Sequence, residues 1–394
     1  MCGIAGIFDL SGERPVDAAL LQAMNESQFH RGPDEGDLFL SPGTGLAHRR
    51  LSIIDLASGQ QPMRSADGRL CIVYNGEIYN YRELAGELRK LGYSFRTNCD
   101  TEVILYAWAA WGPRCVERLR GMFAFALYDA PERSLFLARD RFGIKPLFYS
   151  LMPGGWLLFG SELKALKAHP GLPRKPDLRA VEDYFALGYV PEPKTIYRDV
   201  RKLEPGHTLL FERGAPAPAP ARYWDLPFSP VPAAGEDDLE AELRERLREA
   251  VNVRLVSEVP LGAFLSGGVD SSAVVAAMAG LQPEPVNTCS IGFDVAQFDE
   301  TDYAREVAAR YRTNHQEQRV DANEFGLLDA LAGLYDEPYA DSSAIPTYRV
   351  CELARRRVTV ALSGDGGDQH FAGYRRYRLH IAEERARRML PLGL

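Results

Sequence analysis

Short apolar blocks bounded by turn-forming residues fill the first half of the chain, whereas the second half alternates apolar blocks with longer amphipathic ones. Cys2 to Phe8 starts a strand, and Gly121–Asp129 and 135–140 read as neighbouring strands joined by the turn Ala130-Pro131-Glu132-Arg133. Between Leu203 and Glu236 the pattern gives way to Pro-, Gly- and Ala-rich sequence, with Gly214 to Pro220 reading GAPAPAP. Such sequence favours extended polyproline geometry over packed structure and marks a junction. Beyond it Leu239, Leu243, Leu247, Ala250 and Val251 recur among charges, predicting an amphipathic helix over 239–256. A strand at 259–265, a helix at 273–279, a strand at 286–293, helices at 300–311 and 323–335 and a strand at 358–362 follow. This alternation predicts an α/β domain with a parallel sheet and a site at the carboxyl ends of its strands. At 394 residues the chain accommodates two cores, and the expected division is 1–205, a junction at 206–235, and 236–394.

Composition narrows the class. With 46% apolar and 25% charged residues the chain reads as an ordinary globular protein. No apolar run approaches membrane-spanning length and the amino terminus has no signal-peptide pattern, so the expected location is the cytoplasm, with no membrane partner. A net charge of -8 argues against general nucleic-acid binding. The basic end (Arg375, Arg376, Arg378, Arg385, Arg387, Arg388) is interrupted by Glu383 and Glu384 and reads as a helix with a solvated face. Six scattered cysteines indicate neither a disulfide framework nor a zinc site; Cys71, Cys99, Cys115, Cys289 and Cys351 read as buried thiols, and Cys2 stands apart.

The sharpest local signal is the stretch from Phe264 to Ser272, FLSGGVDSS, entered by an apolar run and left by an Ala/Val-rich one, hence strand, tight loop and helix. Its glycines let the backbone approach a ligand, and the helix start offers unpaired N–H groups, which together suit a phosphate. Asp270 beside phosphate oxygens calls for a cation between them, and Mg²⁺ is the usual one. The GxxxxGK[ST] spacing of P-loop enzymes is absent. A second glycine-rich loop bearing acids, Ser363-Gly364-Asp365-Gly366-Gly367-Asp368, follows the last strand, and Asp368 is the natural metal partner of Asp270.

Cys2 heads an apolar strand, and removal of Met1 would leave it as residue one. Its α-amine, titrating at about 7.7–8.0, could then take the thiol proton. Polar groups gather beside turns or strand ends at His30-Arg31-Gly32-Pro33-Asp34, from His48 to Ile54, from Tyr74 to Asn80 and at Asp100-Thr101-Glu102. Arg31 with Asp34 reads as an ion pair within a loop, and Lys145 as a cation paired with an acid.

SGGVDSS resembles the pyrophosphate-binding loop of the ATP pyrophosphatase superfamily, whose members cleave ATP between the α and β phosphates. MCGIAG and the four polar segments resemble the glutaminase domain of class II glutamine amidotransferases of the asparagine synthetase type, over Cys2 to about Leu203. Residues 141–147 and 160–165 match that family as well and read as fold and interdomain elements. The resemblance implies an α+β N-terminal-nucleophile (αββα) glutaminase domain followed by an α/β ATP-pyrophosphatase-like domain. It makes Cys2 the nucleophile on the glutamine amide, with Asn75 and the Gly76 N–H as the oxyanion hole. Arg50, rather than its neighbour Arg49, would clamp the α-carboxylate within the loop Leu51, Ser52, Ile53 and Ile54, and Asp100 with Glu77 would hold the α-ammonium. In the second domain it places Phe264, Leu265, Ser266, Gly267, Gly268, Asp270, Ser271, Ser272, Ile291, Ser363 and Gly364 around ATP. Asp270 and Asp368 would hold Mg²⁺, and Asp365 matches an acid important for the acyl-adenylate step.

The expected activity is therefore glutamine-dependent amide formation on a carboxylate, aspartate by default, with ATP and Mg²⁺; a homodimer is compatible with it. Two alternatives accompany this expectation. Residues 184–193 and 336–343 resemble amidotransferases of bacterial exosortase and exopolysaccharide systems, whose acceptor need not be aspartate. Gln369, His370 and Ala372 interrupt the family pattern after Asp368, and relatives continue past the last residue, Leu394, with further helices. The second domain thus reads as incomplete, and a fragment with glutaminase or ligand-binding activity alone is the other alternative.

Overall fold

Strands buried on both faces explain why the apolar blocks of the first half so seldom alternate with polar residues. The computed structural model describes residues 1–228, 235–295, 297, 299–320 and 325–389. It divides into two units, Met1–Pro232 with Leu328–Asp341, and Ala233–Leu327 with Ser342–Leu394.

In the first unit the strands are β1 (Gly3–Asp9), β2 (Glu35–Ser41), β3 (Thr44–Arg50), β4 (Met63–Arg64), β5 (Leu70–Ile78) and β6 (Gly121–Asp129). They continue with β7 (Ser134–Arg139), β8 (Phe148–Met152), β9 (Trp156–Gly160), β10 (Arg201–Lys202), β11 (His207–Glu212) and β12 (Ala221–Arg222). Two six-stranded antiparallel sheets result, ordered β10-β8-β9-β1-β3-β2 and β12-β11-β7-β6-β5-β4. Alternation along β1 aims Ile4 and Phe8 into a core shared with Val73, Ala124 and Leu137 of the other sheet. Ala5 and Ile7 point the opposite way, onto Leu21 and Met24 of the helix Ala18–Glu26 and Leu163 and Leu166 of the helix Leu163–Lys167. On the far side of the second sheet the helix Asp100–Trp111 lays Trp108 on Phe136, ring centroids 4.8 Å apart. The layers run helix, sheet, sheet, helix, as the family resemblance implies.

Two boundaries differ from expectation. The junction does not begin at 206, because His207–Glu212 pairs with β7 and buries Leu209 and Phe211 in the inter-sheet core. Only after this proline-free strand does the GAPAPAP stretch start; residues 229–234 of the expected junction lie outside the described residues. The helix expected over 323–335 is a 3₁₀ turn, Phe325–Leu327, and a helix, Leu328–Leu334, with 323 and 324 outside the described residues. From Leu328 to Asp341 this segment belongs to the first unit.

The second unit holds β13 (Leu261–Phe264), β14 (Asn287–Phe293), β15 (Asn314–Val320) and β16 (Val360–Leu362), all parallel, in the order β15-β14-β13-β16. Sequence periodicity misses β15, an edge strand reading NHQEQRV with only Val320 buried. Val274, Val275 and Met278 of the helix Val269–Leu281 pack on one face with Ala304 and Ala308, while Leu353 and Ala354 of the helix Ala344–Arg355 meet Cys289 in a separate cluster. The helix Glu236–Asn252 buries Val251 but leaves Leu239 and Leu243 exposed. The basic end forms the helix Arg375–Met389, which buries none of its residues, so it is solvated all round rather than on one face. Four of the five cysteines expected in the interior are buried; Cys351 is exposed because the helix turns Leu353 and Ala354 inward instead.

Phe125 is fully buried between Phe123 and Phe136, whereas Phe185 is 82% exposed. Phe125→Ala is expected to destabilise the first unit by about 3–5 kcal/mol and Phe185→Ala by less than about 0.5 kcal/mol, measured by denaturant unfolding.

Candidate functional site

Strand register decides what surrounds Cys2. In β1, Gly3 opposes Arg49 of β3 and Ala5 opposes Gly160 of β9, so the residue ahead of β1 meets the ends of both neighbours. The Cys2 Sγ lies 3.5 Å from Leu51 N and 3.7 Å from Leu51 O, and Arg31 Nε donates to the Cys2 carbonyl at 2.9 Å. Burial pushes the thiol pKa up; the Leu51 N–H, the terminal amine, Arg31 and Arg50 pull it back.

Asn75 sits in β5 opposite Ala124, 1% exposed, and its Nδ2 has no hydrogen-bond partner among the described residues. A buried amide donor left unpaired costs about 1–3 kcal/mol, so its persistence points to an acceptor supplied from outside. The backbone just before it is clamped: Tyr74 N donates to Gln61 Oε1 at 2.7 Å, and Tyr74 O accepts from Gln61 Nε2 at 3.2 Å and His48 Nε2 at 3.0 Å. Burial lowers the His48 pKa to about 3, so it serves that bond as a neutral ring. At Gly76 a Cβ would come within 2.2 Å of Met122 O, which leaves room for glycine alone.

The expected glutamine-binding residues are arranged less openly. Arg50 spends Nη1 on Glu35 (3.0 Å) and Nη2 on the carbonyls of Ile54 (3.3 Å) and Asp55 (2.7 Å), folding the half-buried loop Leu51, Ser52, Ile53 and Ile54 onto itself. Clamping a carboxylate would share or displace these bonds. Arg49 instead donates to Gly32 O at 3.0 Å. Asp100 Oδ2 accepts from Tyr74 Oη at 2.7 Å and Ile78 N at 3.0 Å, and burial raises its pKa. Glu77 is half-buried in β5, opposite Met122.

Two expected pairings are replaced. Arg31 does not pair with Asp34: its Nη1 reaches Glu162 at 2.8 Å, while Asp34 accepts from Ser52 N at 2.8 Å. Lys145 meets the Met1 sulfur at 3.3 Å rather than a carboxylate, and burial lowers its pKa. The nearby Asp140 carboxylate is already engaged by the backbone N–H groups of Phe123, Phe142, Ile144 and Lys145, at 3.0 to 3.1 Å. Those bonds fix the turn from Phe142 to Lys145, while Arg141 donates to the Glu117 carbonyl at 2.9 Å and Leu147 enters the inter-sheet core. Sequence reasoning passed over His48, Gln61 and Glu162; their only signal was their place within or beside segments already matched to the family.

In the second unit the chain leaves β13 for β14 and β15 on one side and returns as β16 on the other. The switch point between β13 and β16 is where open α/β sheets bind ligands, and both glycine-rich loops issue there. Gly267 has φ +88°, and a Cβ on it would lie 2.6 Å from Ala304 N. Ser266 Oγ bonds Ser271 Oγ at 3.0 Å, and the helix Val269–Leu281 starts without a side-chain cap. The Ser272 Oγ is buried with no partner among the described residues. A Cβ on Gly364 would fall 2.7 Å from Ser271 N, and one on Gly367 2.3 Å from the Asp270 carboxylate, so the second loop lies directly on the first. Phe264 pairs in register with Cys289, two residues before Ile291 in β14, and Ser363 Oγ donates to Asp365 Oδ2 at 2.9 Å. Asp270 lies against Gly367, the residue preceding Asp368, and both acids carry the oxygen donors that suit a hard divalent cation, with the Asp368 Oδ1 lying against Gly373. Among the described residues there is no group of three or more acids, histidines or cysteines that could hold a metal ion.

Comparison with known proteins agrees with this geometry. Residues 1–224 match the glutamine amidotransferase domain family and residues 242–393 the asparagine synthase family. The chain is 38% identical over its full length to asparagine synthetase (glutamine-hydrolysing) 1 of Bacillus subtilis, spanning 62% of that protein. It is 40% identical, over 95% of its length, to a Methanocaldococcus jannaschii protein provisionally named a second asparagine synthetase (glutamine-hydrolysing), of which it spans 76%. Asparagine synthetase (glutamine-hydrolysing) 3 of Bacillus subtilis is 34% identical over 95% of the chain, which spans 63% of it. With an amidotransferase domain carrying Cys2 and a synthase domain carrying the paired loops, the chain belongs to the glutamine-hydrolysing asparagine synthetase family.

Proposed function

We propose that the chain is a glutamine-dependent amidotransferase that releases ammonia at Cys2 and uses it to amidate an ATP-activated carboxylate, aspartate being the acceptor we assign. The observation that carries the first half is the buried, unpartnered Asn75 Nδ2 beside a glycine that tolerates no side chain. Cys2 Sγ attacks the glutamine side-chain amide carbon, and the oxygen that gains negative charge is taken by Asn75 Nδ2 and the Gly76 N–H. With Met1 removed, the free α-amine takes the thiol proton and delivers it to the leaving ammonia; water then hydrolyses the γ-glutamyl thioester. Arg50, the 51–54 loop, Glu77 and Asp100 recognise the amino-acid end of glutamine.

At the second site the uncapped helix start, Ser266 to Ser272, and Ser363 and Gly364 receive the ATP phosphates, with Phe264 and Ile291 beside the adenylate. Mg²⁺ held by Asp270 and Asp368 would offset the pyrophosphate charge. The carboxylate attacks the α-phosphorus, pyrophosphate leaves, and ammonia displaces AMP to form the amide; Asp365 serves the adenylation step. The reading places this chemistry in the cytoplasm. Among the described residues no helix is long and apolar enough to cross a membrane.

Cys2→Ala is expected to lower glutamate release from glutamine by more than about 10⁴-fold while leaving ammonia-dependent formation of AMP and pyrophosphate in place. Glutamate release at the wild-type rate would overturn the nucleophile. Asn75→Ala is expected to lower kcat for glutamine hydrolysis by about 10²–10³-fold, without loss of thermal stability because the deleted donor has no partner to lose. Gly364→Ala forces the two loops apart and should abolish AMP and pyrophosphate formation while sparing glutaminase. ADP and phosphate as products would overturn the second-site chemistry.

A further inference from the structure

A line of alternating charges runs back from Cys2 into the first unit. Arg31 Nε donates to the Cys2 carbonyl at 2.9 Å and Nη1 pairs with Glu162 Oε1 at 2.8 Å. Glu162 Oε2 takes Lys164 Nζ at 2.8 Å and His30 Nε2 at 2.9 Å. Lys164 lies 3.5 Å from Asp336 Oδ1, and its backbone N–H donates to Asp336 Oδ2 at 3.1 Å. The Arg31, Glu162, Lys164 and Asp336 side chains are only 8%, 13%, 17% and 10% exposed, so water screens these pairs weakly.

Glu162 owes its place to register. It follows Ser161, whose N–H donates to Ile4 O at 2.9 Å and whose Oγ accepts from Ile4 N at 3.0 Å, locking the end of β9 to the start of β1. Burial works to raise the Glu162 pKa, but the bonds from His30, Arg31 and Lys164 outweigh it and hold the carboxyl at about 2, ionised at any working pH. With Met1 removed, Cys2 has no preceding peptide bond to orient it, and β1 begins only at Gly3, one residue after it. The Arg31 bond to its carbonyl is therefore an orienting tether, and an arginine so nearly buried needs a fixed anion to keep its own position.

We propose that Glu162 is a positioning residue for the nucleophile: it fixes Arg31, Arg31 fixes the Cys2 backbone, and Sγ is thereby aimed at the amide carbon below the Asn75 and Gly76 donors. Lys164 and Asp336 hold Glu162 from behind. The inference rests on the assignment of Cys2 above. It separates orientation from recognition, because Glu162 lies outside the residues assigned to glutamine.

The test is steady-state glutamine hydrolysis by the full chain carrying Glu162→Gln, Glu162→Asp, Arg31→Ala, and Arg31→Ala with Glu162→Gln. Misplacing a reacting group by about 1 Å costs on the order of 10²-fold, so Glu162→Gln should lower kcat about 10- to 100-fold with KM within about twofold. Glu162→Asp, which keeps the charge and suits a fold that rejects the neutral side chain, should recover part of kcat. The double variant should be no slower than Arg31→Ala alone, because Glu162 acts only through Arg31. Glu162→Gln at wild-type kcat, a rise in KM alone, or additive losses in the double variant would each overturn the inference. Cys2→Ala still hydrolysing glutamine would instead sink the nucleophile assignment, a separate and distinguishable failure.

Discussion

The hydrogen-bond register of β1 against β3 and β9 is the constraint on which the first site depends. Because Gly3 opposes Arg49 and Ala5 opposes Gly160, one strand end brings Cys2 to the Leu51 backbone on one side and Ile4 to Ser161 on the other, with Arg31 joining the Cys2 carbonyl to Glu162. A slip of one residue would turn Ile4 and Phe8 out of the inter-sheet core and carry Cys2 away from Leu51. The apolar burial that pins the register thus also aims the thiol, and packing and chemistry share one determinant. Across the sandwich, β5 is pinned in turn by Gln61 and His48 on Tyr74, one residue before the waiting Asn75 donor.

The second unit reaches a comparable result by topology. Its parallel sheet reverses direction of growth beside β13, and the two loops at that reversal are glycine-rich where they touch: a side chain at Gly364 or Gly367 would strike Ser271 or Asp270. Close contact brings Gly364 and Gly367 against Ser271 and Asp270 at the start of one helix, where unpaired N–H groups favour phosphate. Neither loop alone assembles that arrangement. Among the described residues, the buried polar atoms without a hydrogen-bond partner include Asn75 Nδ2 and Ser272 Oγ, alongside others such as those of Asn25 and Gln318.

What could be read from the sequence divides along physical lines. The strands Gly3–Asp9, Gly121–Asp129 and Ser134–Arg139 of the sandwich, the parallel alternation and both glycine loops were legible because apolar runs and glycines act locally. The strand His207–Glu212 was hidden by the proline-rich stretch after it, and Asn314–Val320 by its polar composition, since an edge strand needs little apolar surface. Partners far apart in sequence were not legible at all. Arg31 finds Glu162 across 131 residues instead of nearby Asp34, and Lys145 finds the Met1 sulfur across 144 instead of an acid, because strand register and loop folding select those neighbours.

The central claim is that Cys2 is the group that bonds to glutamine. It is tested most directly by acid-quenching the chain during glutamine turnover and locating the covalent adduct by peptide mass mapping. A γ-glutamyl thioester on the peptide containing Cys2, absent in Cys2→Ser, is the predicted result. Turnover with no adduct on that peptide, or with the label on Cys71, Cys99, Cys115, Cys289 or Cys351, would contradict the account.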